Sequence, residues 1–392
     1  MIALNYFGLF ALIFAQYLTT AVPAYLILII CLVSGANTKL PTRAVLYICA
    51  VVLYWLSVLS YATGKNIFTH ILFYFGFLLP FLIIYVNRRI RIDVLINEKT
   101  IIGLCLLTIF EAVLFNSPIG QHLYFFPKGD NEITSIFGFY QRPTGIAGNA
   151  SLTSVVLFFL VVLTEQIRGA IKLRTRILVL ATTLVLASGA GFGLVLIYLV
   201  ILAFRSRRFT KKDFAVGFAY LLIVMAAIAV ALGFIVEAEK AENFKLSIDY
   251  FILMYDYKMY LVTSFLEQDA SLETLLFGSQ IVFDQPGTTG DNGLLGAVRY
   301  IGWIGATLVF MAPLLYPGAL RRYFVPFLFF CLSFVHYMGL LTPPGQVLFA
   351  CYLSSLAWTK HIAREPLGLL PNSKLRNRSG KPGGHVSVSS AR

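Results

Sequence analysis

The sequence predicts an all-α polytopic membrane protein with about 12 transmembrane helices and two long outer loops. Two features of composition point there. Apolar residues make up 58% of the 392-residue chain and charged residues only 12%, too few to cover a water-facing surface. The apolar residues are also gathered into runs of roughly 15 to 23, the length a helix needs to cross about 30 Å of hydrocarbon at 1.5 Å per residue. A third observation is the distribution of charge. In the topology these runs imply, 24 of the 31 Lys and Arg residues, among them Arg88, Arg89, Arg91, Arg205, Arg207, Arg208, Lys211, Lys212, Arg321 and Arg322, fall on one side, as the positive-inside rule requires. The formal net charge of +13 is therefore read as a topology signal and not as a nucleic-acid surface.

The expected spans are 2–19, 21–36, 44–62, 67–86, 100–116, 150–165, 176–189, 191–204, 214–236, 293–315, 323–341 and 346–361. No Lys or Arg precedes the first run, so it reads as a retained helix and not as a cleavable signal. Pro23 marks either a hairpin between two short spans or a kink in one long span. An even number of crossings leaves both termini on the cytoplasmic side, which suits the basic tail containing Lys374, Arg376, Arg378 and Lys381. Residues 1–365 thus form the membrane domain, with outer loops at 117–149 and 237–292, and 366–392 a disordered basic cytoplasmic tail. The second loop carries LSIDYFILMYDYKMYLVTSFLEQ, whose interleaved apolar and charged residues suit a helix on the membrane surface or over a cavity. The five cysteines lie inside apolar runs with no CxxC spacing, which implies neither a disulfide nor a metal site.

Chemistry is expected at the outer ends of the helices. Arg142 sits in FYQRPTGIAGNAS, a Gly- and Pro-rich turn whose amides could face an anion at the start of the helix near Ala150. Arg299 sits in DNGLLGAVRYIGWIGA, close to the start of a helix that enters the membrane from outside. Each also suits an arginine that carries its charged head to the interface. His336, in CLSFVHYMGLLTPPG, lies about five residues inside the outer end of its span, and Glu111 at a similar depth in another. The plainer roles are a histidine bonded to a carbonyl or Tyr hydroxyl, and a carboxyl satisfied by Thr or Ser neighbours. LLFGSQ precedes Asp284, Asp291 and Asn292, and SGAGFG (Ser188–Gly193) joins two short runs, where its glycines suit a tight turn or close helix approach. The sequence contains no DxD, GxxxxGK[ST], HExxH or GxSxG motif, so nucleotide-binding and zinc-hydrolase chemistry have no support.

The order of these features resembles the bacterial O-antigen ligase and Wzy-type polysaccharide polymerase superfamily. The resemblance spans nearly the whole chain: RPTGIAGN opening a helix after an outer loop, the glycine hairpin SGAGFG, and a dominant outer loop ending in LLFGSQ and DNGLLGAVRYIGWIG. It implies a metal-independent glycosyltransferase, without cofactor or nucleotide sugar, at the periplasmic face of the bacterial inner membrane. Its donor would be a polyprenyl-diphosphate-linked glycan, and its possible partners the chain-length regulator and flippase of the same pathway. Under this resemblance Arg142 and Arg299 would hold the diphosphate. His336, or alternatively Asp291 or Glu111, would act as base on the acceptor hydroxyl. The Asp291–Asn292 pair, where ligases often carry His-Asn, favours a polymerase over a ligase. A lipid-linked oligosaccharide flippase and a non-catalytic scaffold are the other classes considered; the first would be expected to show an internal repeat and polar residues at the bilayer midplane.

Overall fold

The computed structural model describes residues 2–15, 22–35, 42–61, 79–84, 90–118, 135–136, 140–205, 256, 259–260, 263, 272–278, 293–320, 323–334 and 339–362. Helices dominate these residues. Their only strands form one antiparallel ladder two residues long, Ser135–Ile136 with Tyr140–Gln141. The helices in chain order are α1 (Ile2–Ile13), α2 (Val22–Gly35), α3 (Thr42–Tyr61), α4 (Ile92–Leu95), α5 (Glu98–Phe115), α6 (Ala150–Arg168) and α7 (Leu173–Leu186). They continue with α8 (Gly189–Arg205), α9 (Leu272–Phe277), α10 (Gly293–Met311), α11 (Pro317–Leu320), α12 (Phe324–Leu332) and α13 (Pro343–Ile362). Ten of the twelve expected runs carry one of these helices. The run 67–86 is described only at 79–84, which is helical, and 214–236 lies outside the described residues. So do the tail after 362 and most of both long loops.

Among the described residues, α6 alone is long and apolar enough to cross a membrane by itself. It forms because Asn149, in an extended conformation, accepts a hydrogen bond from the Ser151 amide at 2.8 Å, capping the first turn. It ends where Gly169 takes φ +90° after the basic Arg168. Every residue from Val155 to Glu165 is buried. Its neighbours include α4, α5, α7, α8, α12 and α13, and its aromatic rings lock to three of them. Phe158 meets Tyr198 at 5.8 Å and Phe329 at 6.3 Å, while Phe159 meets Tyr352 edge-on at 5.7 Å.

Two helices also carry apolar residues on their exposed faces. On α3, Leu46 and Leu53 are each 64% exposed, and on α5 Leu106, Phe110 and Val113 also face outward. Thr108, Ser154, Thr164, Thr182, Thr183 and Ser355 are buried instead. Each hydroxyl donates to the carbonyl four residues earlier in its own helix, over 2.7 to 3.0 Å, so burial leaves none of them unsatisfied.

One end of the bundle is tied by charge. Asp93 on α4 accepts from Arg91 at 2.7 Å and from Arg168 at 3.2 Å. The Glu98 carboxylate accepts from the Lys172 amide at 3.1 Å and the Thr175 hydroxyl at 3.2 Å. The buried Glu165 meets Arg176 at 2.9 Å and the Tyr198 hydroxyl at 2.7 Å. These bonds fasten the segment 91–98 to the α6–α7 connection. The Arg91 guanidinium holds the Asp93 carboxyl below its usual range, so this contribution is present above about pH 4 and is lost as pH falls through the lower folded value. Asp93 is partly exposed, so its worth is of the order of 0.2–1 kcal/mol. Thermal unfolding of wild type and Asp93→Asn is expected to differ at pH 7 and to converge as pH falls through the lowered Asp93 value; a difference that grew on acidification would contradict the pairing.

Candidate functional site

The turn that carries Arg142 is held by Glu111. Arg142, Pro143 and Thr144 run without regular structure into a 3-10 turn at Gly145–Ala147, and Gly148 (φ +75°) leads to the Asn149 cap of α6. Glu111 projects from the last turns of α5 and is fully buried. One carboxylate oxygen accepts from the Thr144 amide at 2.8 Å and the Thr144 hydroxyl at 2.6 Å; the other accepts from the Gly145 amide at 2.9 Å. A buried carboxylate is tolerated only when its oxygens are satisfied, and hydrogen bonds to a charged acceptor are the strong ones. Thr153, one turn into α6, closes the arrangement. Its hydroxyl donates to the Thr144 carbonyl at 2.8 Å and accepts from the Ala147 amide at 3.1 Å. Gly145 has φ +69°, and a Cβ there would run into the Thr153 side chain, so the position requires glycine. The amides expected to face a ligand anion thus face the protein's own carboxylate. Arg142 itself is half-buried beside them.

Two further motifs pack onto the same end of α6. Ser188, which opens SGAGFG, shares a hydrogen bond with Ser151 at 2.9 Å. The reversal between α7 and α8 is made by Ala187 in the left-handed region (φ +45°), while the glycines begin α8. Gly191 is there for close approach: a Cβ would lie 2.8 Å from the Ser154 hydroxyl oxygen. From the other side comes Gly339–Leu341, three residues beyond His336. A Cβ on Gly339 would press on Val155 at 2.9 Å, and α13, which follows, touches the Gly145–Ala147 turn.

Arg299 lies on a different group of elements. Its helix, α10, is broken at Gly302 (φ 61°, ψ 176°), three residues further on. The break admits the backbone of α9: a Cβ at Gly302 would overlap the Leu276 carbonyl, so LLFG and RYIGWIG meet directly. The Tyr54 hydroxyl donates to the Ile301 carbonyl at the break, and its ring stacks on Phe277 at 6.3 Å. Ile301 and Gly305 line a small apolar cavity with Phe349 and Leu353 of α13. Among the described residues, α13 touches both the Arg142 group and the Arg299 group, and α12 packs on both α6 and α10.

His336 and Asp291 lie outside the described residues; Glu111 and the Arg142 turn are brought together, and Arg299 is placed on the α9–α10 group. Thr144, Thr153 and Tyr54 were not singled out from the sequence. Thr144 sits inside the RPTG motif, whereas Thr153 and Tyr54 carry no local signal at all. Among the described residues no group of three His, Cys, Asp or Glu side chains is arranged to hold a metal ion. No protein-family description, curated protein or solved structure matches the chain.

Substituting Glu111→Gln keeps the shape but turns an amide donor toward donors, leaving at least one buried N–H or O–H without an acceptor. A loss of about 1–3 kcal/mol is expected, with faster hydrogen exchange confined to the Thr144 and Gly145 amides. Unchanged exchange there would contradict the clasp.

Proposed function

We propose that the chain is a multi-pass protein of the bacterial inner membrane, with about 12 crossings and both termini cytoplasmic. In this reading it polymerises polyprenyl-diphosphate-linked repeat units into exopolysaccharide or O-antigen at the periplasmic face. The membrane assignment draws on the exposed apolar residues of α3 and α5 and on buried hydroxyls that are satisfied within their own helices. The single observation that carries the catalytic reading is the buried Glu111 clasp, which commits three strong hydrogen bonds to fixing the arginine-bearing turn at the mouth of the most buried apolar helix. A fixed cation at that position is what a diphosphate-leaving reaction needs.

The acceptor hydroxyl oxygen forms a bond to the anomeric carbon of the donor as the bond from that carbon to the diphosphate oxygen breaks. The leaving polyprenyl diphosphate departs with the bonding electrons as a stable anion. It therefore needs neutralisation more than protonation, and Arg142 and Arg299 supply the bidentate donors. The hydroxyl proton passes to His336, with Asp291 as the alternative base. Glu111 has both oxygens engaged by the turn and is assigned here as a positioning residue.

Deleting the gene and profiling the envelope polysaccharide separates the related classes. Accumulated single repeat units support a polymerase, unattached long chains a ligase, and precursor trapped on the cytoplasmic side a flippase. Complementation with Arg142→Ala is expected to lower long-chain product about 100-fold or more at normal membrane levels. Arg142→Lys should fall between, since it keeps the charge and loses the fork. Full-length polysaccharide from a well-expressed Arg142→Ala variant would rule out this role.

A further inference from the structure

At the charged end of the bundle, a cleft of about 850 Å³ opens between α1, the start of α5 and the α6–α7 connection. Its rim is basic: Lys99, Arg168, Lys172 and Arg174 line it, and all four are exposed. Among the described residues, Lys99, Lys172 and Arg174 take part in no ion pair. The acidic residue of the lining, Glu98, has its carboxylate turned to the Lys172 amide and the Thr175 hydroxyl. Arg168 is held by Asp93, so it is the fixed member of the set. The wall of the cleft is apolar and comes from Phe10 of α1 and Phe14 just past its end, with Ile102 and Gly103 of α5. Gly103 has nothing within 4 Å of where a Cβ would stand, so the wall is open at that point. Uncompensated cations at the rim above an apolar trough are complementary to one chemical object, a phosphate diester carrying an alkyl chain.

We infer that this cleft binds an anionic glycerophospholipid of the cytoplasmic leaflet, its phosphate among Lys99, Lys172 and Arg174 and an acyl chain along Phe10, Phe14 and Gly103. The inference rests on the membrane reading above and is separate from the proposed chemistry, since none of these residues belongs to the Arg142 or Arg299 groups. The lipid bridges α1, α5 and the α6–α7 connection, and so stabilises the folded bundle by mass action.

The test is thermal unfolding of the detergent-purified protein titrated with phosphatidylglycerol, phosphatidylcholine or inorganic phosphate. Phosphatidylglycerol is expected to raise Tm by about 2 °C at ten times its dissociation constant, with little effect from the other two. The combined change Lys99→Gln, Lys172→Gln, Arg174→Gln should remove the shift without moving the lipid-free Tm. Gly103→Leu, which fills the trough and favours the helix, should also remove it. Equal shifts from both lipids, a full shift from phosphate alone, or a shift that survives Gly103→Leu would each overturn the lipid site. Extraction of membranes with alkaline carbonate is run alongside. Release of the protein by carbonate would defeat the membrane reading itself, whereas retention with no lipid shift would defeat only this inference.

Discussion

The Glu111 carboxylate is the constraint on which the arginine-bearing end of the bundle depends. It is fully buried, and its oxygens are satisfied by Thr144 and Gly145, which lie 33 and 34 residues further along the chain. Because an uncompensated buried charge is so unfavourable, the end of α5 and the turn before α6 are fixed to one another. Thr153 then binds the turn to α6, and Ser151 carries the same rigidity to Ser188 at the α7–α8 reversal. Four helices thus share one polar knot. The knot fixes the backbone two residues from Arg142, so the arginine is presented from a rigid base and not from a free loop.

A second constraint is the placement of polar groups in the bundle. Thr108 on α5, Ser154 and Thr164 on α6, Thr182 and Thr183 on α7 and Ser355 on α13 return their hydroxyls to their own helix backbones, while small residues and aromatic rings pack between helices. Gly191 against Ser154 and Gly339 against Val155 bring neighbouring segments into close contact with α6. Among the described residues, the carboxylates of Asp93, Glu98, Glu111 and Glu165 form two clusters. At one end Glu165, Asp93 and Glu98 knit α4 to α8, and at the other Glu111 holds the arginine turn.

Much of this was legible in the sequence. Apolar runs bounded by charge, Pro and Gly give α2, α3, α5, α6 and α13 to within a few residues, because run length and punctuation are local properties. The glycines of SGAGFG suit a tight turn or close helix approach; Gly191 serves the close approach, whereas Ala187 makes the α7–α8 reversal, and a single Ala in the left-handed region has no sequence signature. The break at Gly302 was likewise hidden within a continuous apolar pattern, since its cause is the Leu276 backbone lying against it. Glu111 and Arg142 were both flagged, yet as separate groups. Their connection spans more than 30 residues and depends on how two helix ends meet, which no local pattern encodes.

The most direct measurement is transfer by the purified protein in liposomes supplied only with a polyprenyl-diphosphate-linked oligosaccharide. The account predicts a ladder of longer glycans with one polyprenyl diphosphate released for each bond formed, and no requirement for added nucleotide sugar or metal. Intact donor after incubation with folded protein, or glycan growth without release of the diphosphate, would contradict it.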